Sequence, residues 1–141
     1  VYEVYTGKGM SLRQRTDGVD DSVRGTLDAF LHRAYTGSHQ SVEALFSKKK
    51  VWEPGMFEMY GPMIESLYIE GGEVFSKYER TIKKFCYSDF KRRRHACRLS
   101  INLRDLRKYG RFDPTLTETQ ALLASGYANN FEGDELWDAL R

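Results

Sequence analysis

The chain has 141 residues, 40% of them hydrophobic and 13% aromatic, which is enough apolar material for a core and too much for a disordered segment. Its net charge is +2, it has no run of about 18 apolar residues and no secretory leader pattern, so composition points away from a membrane-spanning segment. Two cysteines, Cys86 and Cys97, are too few for a disulfide scaffold and suggest an intracellular, reducing compartment, cytoplasmic or nuclear.

The length fits a single domain over 1–141, and the opening Val in place of Met is read as a fragment of a longer chain or a processed product. The charge is unevenly spread. Residues 1–50 carry +2, residues 51–76 carry −5, residues 77–111 carry +10 and residues 112–141 carry −5.

Taken in order, Val1 to Tyr5 reads as a short strand or arm, and the Gly-rich polar stretch TGKGMSLRQRTDG after it reads as a loop. Val23, Leu27, Phe30, Leu31 and Ala34 share one helical face, which predicts a helix from about Asp20 to Tyr35 stopped by Gly37. A short helix follows, capped by Ser38 or Ser41, packing Val42, Leu45 and Phe46 and closing at Lys48, Lys49 and Lys50. Met56, Phe57, Tyr60, Met63, Ile64, Leu67 and Tyr68 form another stripe, which Gly61-Pro62 should kink or divide and Gly71-Gly72 should end. Phe75, Tyr78, Ile82, Phe85 and Cys86 predict the inner face of a helix over roughly 73–87.

The stretch KRRRHACRLSINLRDLRKYGR, Lys91 to Arg111, carries nine basic residues and supports two patterns. Cys97, Leu99, Ile101 and Leu103 alternate like a strand. Ala96, Leu99, Leu103 and Leu106 recur like a helix, and with one β-branched residue and Gly110 as a stop the helix is favoured. Beyond Asp113-Pro114, Thr117 and Gln120 form a capping-box pattern, Leu116 can staple on Ala121, Leu122 and Leu123 should pack, and Gly126 should end the turn. GDELWDALR predicts a last helix capped by Asp134. The expected fold is mainly α: a compact single-domain bundle of six or seven helices, with at most a short strand or hairpin at 1–5 and possibly at 96–103.

The basic block is the strongest functional lead. Phosphate binding needs Lys and Arg to displace counterions, and single-stranded nucleic acid also needs planar groups to stack on bases. Lys91, Arg92, Arg93, Arg94 and Arg98 are the expected principal phosphate ligands. Arg104, Arg107, Lys108 and Arg111 would extend the patch, with Tyr109 as a stacker. The expected function is therefore a non-catalytic nucleic-acid-binding domain, with RNA favoured and little sequence specificity.

The alternative is a protein-interaction or self-assembly module, in which the basic block meets an acidic partner or a second copy in a homo-oligomer. A membrane surface ranks below both, and a plain solvated face neutralised by the chain's own acidic segments is the bland competitor. Leu136, Trp137 and Leu140 are expected either to pack on the core or to dock on a partner.

No cofactor or metal is expected. His95-Ala-Cys97 lacks zinc-knuckle spacing, and Thr6-Gly7-Lys8-Gly9 lacks phosphate-loop spacing. Cys86 falls on an apolar face rather than beside a base, so no enzyme activity is expected either.

Overall fold

The computed structural model describes residues 1–17 and 20–141, and for 16, 17, 20 and 21 the backbone only. The described residues form three strands and seven helices. Strand β1 (Tyr2–Tyr5) runs parallel to β3 (Asp20–Thr26), and β2 (Leu12–Asp17) pairs antiparallel with β3, giving the order β1-β3-β2. The helices are α1 (Leu27–Tyr35), α2 (His39–Phe46), α3 (Met56–Glu65), α4 (Gly72–Cys86), α5 (Phe90–Tyr109), α6 (Glu118–Asn130) and α7 (Gly133–Leu140). The mainly helical expectation holds, and β1 coincides with the strand expected at 1–5.

The N-terminal quarter departs from expectation. Residues 20–26 were expected to open the first helix, but they form the central strand of the sheet, and the helix begins at Leu27. Thr26 sets that boundary. Its buried hydroxyl accepts from the Ala29 amide at 3.2 Å, capping α1, and donates to the Gly9 carbonyl at 2.9 Å, tying the loop to the strand end. The stretch expected as a loop contains β2, and its last residue, Gly18, lies outside the described residues.

The core lies in the helical part. Val74, Tyr78, Ile82 and Cys86 of α4 recur at four-residue spacing and pack against Ala96, Leu99, Leu103 and Leu106 of α5. The segment 96–103 is thus helical throughout, because its i, i+3, i+7 face is the one that α4 covers. Helix α6 approaches α5 through Ala124 and Ala128, both buried, whose small side chains allow close contact. The chain turns from α1 to α2 at Gly37, where φ is +94° and a Cβ would meet Lys77 Cβ at 2.9 Å, so this turn needs glycine. Gly110 ends α5 in the left-handed region at φ +75°.

Other boundaries shift. Helix α3 passes through Pro62 undivided and ends at Glu65, short of the expected stop at Gly71. Thr117 and Gln120 form the expected capping box, but α6 continues past Gly126 to Asn130. Leu122 and Leu123 were expected to pack, yet they point to solvent, because the inward face is made by Ala124 and Ala128. Helix α7 starts one residue before the expected cap, and Asp134 instead accepts from the Tyr87 hydroxyl.

Replacing Leu99, which is 0% exposed, by Ala should cost about 3 kcal/mol through lost burial and the cavity left behind. Leu122→Ala, at a residue 68% exposed, should stay within about 0.5 kcal/mol. Urea unfolding midpoints of the two variants should therefore separate clearly, and equal midpoints would contradict this packing.

Candidate functional site

Helix α5 carries the expected site residues. Asp89 caps it, accepting from the Arg92 amide at 2.9 Å, so Lys91, Arg92, Arg93 and Arg94 occupy its first turn. Each later residue turns about 100° around the axis, so this basic run radiates in several directions and forms no single stripe.

Some of these side chains serve the fold. Arg93 is 16% exposed and donates to the Ala128 carbonyl at 3.2 Å and the Ser88 carbonyl at 2.9 Å, tying α5 to the end of α6. Arg111 donates to the carbonyls of Glu65 and Leu67 and lies over the Tyr68 ring. Arg107 pairs with Glu79 of α4. Arg98 pairs with Glu43 of α2 at 3.0 Å.

Others face outward. Among the described residues Lys91 and Arg94 make no ion pair, and Arg94 rests over the Phe90 ring. Arg92 reaches only its cap, Asp89, at 3.7 Å, and Arg104 only its neighbour Asp105 at 3.9 Å. Lys108 lies over the exposed Tyr109 ring. Arg94 and Lys108, fourteen residues apart, stand about 21 Å from each other along the axis. The expected patch is therefore divided between the two ends of α5. Leu136, Trp137 and Leu140 sit on α7, with Leu136 wholly buried and the other two packed partly against the core.

At the N-terminal end of α5 lies a groove of about 920 Å³ between α2, α5 and α6. Lys91, Arg92, Arg94 and Arg98 line it, against two carboxylates, Glu43 and Asp89. Leu116, Ala121 and Ala124 supply an apolar wall. Two histidines complete it. The rings of His39 and His95 meet edge to face at 5.2 Å, and Phe85 packs against both. Arg98 has only donors, so at 3.2 Å from His95 Nε2 it donates, and this nitrogen is the acceptor of a neutral imidazole.

Burial first, and then the neighbouring cations, hold both histidines neutral. His39 is lowered to about 4 by burial, Arg98 and Lys77, and His95 to about 3 by burial, Arg98, His39, Lys91 and Arg94. Glu43 is raised by burial, against the attraction of Arg98. Tyr78 is wholly buried, and its hydroxyl is raised by burial first and then by Glu43.

The sequence directs attention to His95 as a zinc ligand or as a base for Cys86, and gives no reason to pair it with His39 or Glu43. The spacing His39–Glu43 on α2 and His95–Arg98 on α5 was the available signal, since such pairs share a helix face. Among the described residues no group of three or more His, Cys, Asp or Glu is placed to hold a metal ion. Cys86 and Cys97 are free and buried, and burial pushes both thiols up to about 11, which leaves them unreactive near neutrality. No helix among the described residues is long and apolar enough to cross a membrane. Comparison with protein families, with curated proteins and with solved structures returns no match.

The histidines make stability depend on pH. Unfolded, they titrate near 6.5; folded, near 4 and 3, so the unfolded chain binds more protons in between. Their contribution is complete above about pH 6.5 and is lost as pH falls through that window. Glu43, raised in the fold, acts in the opposite sense. Between about pH 7 and pH 5 the wild type should lose more urea stability than the His39→Gln/His95→Gln variant. Equal losses would show that the pair is not held neutral.

Proposed function

We propose that this chain is a non-catalytic nucleic-acid-binding domain, RNA being favoured, that grips phosphates at the N-terminal end of α5. The observation that carries this reading is the placing of Lys91, Arg92 and Arg94 on one rigid turn beside a groove whose fixed charges are four basic to two acidic. Counterion release from phosphates rewards such a surface. Side chains anchored on a packed helix lose less freedom on binding than the same charges on a flexible tail. The rings of Phe85, His39 and His95 give the groove flat surfaces for a base, which suits a single strand with its bases unstacked. Arg104, Lys108 and Tyr109, at the far end of α5, extend the path to a longer strand. The reading is of binding alone.

A second reading, self-assembly, is favoured by a separate observation. Helix α6 turns Leu122, Leu123, Tyr127 and Phe131 outward, and the last two rings are 5.8 Å apart. Apolar groups clustered on a surface commonly mark an interface.

Binding of a generic single-stranded RNA at two salt concentrations tests the first reading. The wild type should weaken steeply with salt, and changing Lys91, Arg92 and Arg94 to Gln should reduce the slope of log affinity against log salt by about 2. Arg93 is left in place because it holds α5 to α6. Absence of binding at low salt defeats the reading. For assembly, the wild type should elute from a sizing column as an oligomer and Leu123→Glu/Tyr127→Glu as a smaller species. A monomeric wild type ends that alternative.

A further inference from the structure

We propose that the groove between α2, α5 and α6 holds a phosphate of the bound RNA, and that His39 and His95 take up protons as that phosphate enters. This rests on the nucleic-acid reading and assigns it a pocket and a pH dependence.

The geometry comes first. Asp89 already accepts from the Arg92 amide, so part of the anion-attracting end of α5 is occupied by the chain's own carboxylate. The remaining attraction lies deeper, with Arg98 and the two imidazoles. Glu43 is engaged by Arg98 through both its oxygens, at 3.0 and 3.4 Å. Arg98 also donates to His95 Nε2. A protonated His95 would turn this hydrogen bond into a contact between two donors, which has to open. An anion seated between them changes that balance, because Arg98 and a protonated His95 can then both donate to phosphate oxygens.

Charge acts in the same direction. The charged groups around the pair and its groove are Glu43 on α2, Lys77 on α4, Asp89 at the cap of α5, and Lys91, Arg92, Arg94 and Arg98 on α5. Cations outnumber the two carboxylates among them, which is part of why both imidazoles are held neutral. A phosphodiester brings a negative charge to the cations that repel an added proton. Each proton comes from the buffer, so uptake is directly measurable. By linkage, every proton taken up per protein bound strengthens binding about tenfold for each unit that pH falls.

The decisive experiment is calorimetric titration of the intact chain with a short single-stranded oligouridylate, at low salt and about pH 6, in two buffers of different ionisation enthalpy. The expected result is uptake of about one proton per protein bound. His39→Gln/His95→Gln should abolish the proton uptake that accompanies whatever binding remains. Binding without proton uptake in the wild type overturns this proposal and leaves the phosphate-binding reading standing. Uptake that persists in the double variant overturns it too. Absence of binding overturns both. The wild-type measurement decides the matter even if the variant fails to fold.

Discussion

The buried stripe of α5 is packed against α4 on one side and α6 on another, and it lies within the most basic stretch of the chain. Leu99, Leu103 and Leu106 each bury nearly all of their side chains, at about 2 kcal/mol apiece relative to exposure. Against this stands the mutual repulsion of Lys91 to Arg94. Like charges on a solvated helical turn repel by less than about 1 kcal/mol per pair, and salt screens them further. Burial therefore wins, and α5 forms despite its charge. The polar flank of the same helix is then fixed as firmly as its apolar one, so the first-turn cations inherit the rigidity of the core.

A second constraint ties α5 to α2. Arg98 and Glu43 are both largely shielded, at 33% and 21% side-chain exposure, and each is tolerable there because of the other. Removing either would strand a largely shielded charge. The pair also fixes the guanidinium against His95, which makes the groove an arrangement of defined side chains. Asn102, buried one helical turn beyond Arg98, adds a polar group to this otherwise apolar face.

Legibility in the sequence followed how completely one face is buried. The α4 stripe, expected from Phe75 and in fact opening at Val74, and the α5 stripe, from Ala96 to Leu106, are buried on one side along their length, so their spacing largely located them, with Gly110 deciding for a helix in α5. The capping box at Thr117 was readable because its chemistry is local. Of the sheet only β1 was legible, because the described side chains of β2 are mostly exposed and polar, such as Arg13 and Gln14, and show no alternation. Val23 in β3 happened to lie four residues before Leu27 of α1, so a strand and a helix together imitated one helical face. In α6 the larger apolar residues misled: the close approach to α5 selects Ala124 and Ala128 and leaves Leu122 and Leu123 outside. The groove was half legible. Its cations stood out as a run, while His39 and Glu43 come from a helix some fifty residues earlier that folding alone brings alongside.

The +10 block and the two −5 blocks invited the view that the chain neutralises itself. Packing divides the charge differently. Among the described residues the carboxylates of 51–76 make no ion pair with the basic block. The arginines that do find distant partners, Arg93, Arg98, Arg107 and Arg111, hold helix to helix or helix to loop. What they leave over is concentrated at Lys91, Arg92 and Arg94, whose contacts are confined to the cap of their own helix and a neighbouring ring. A self-neutralised face would have paired these positions as well. Their charge stays available because the turn that bears them is held in place by other residues: Asp89 from before it, Arg93 within it, and the leucines beyond.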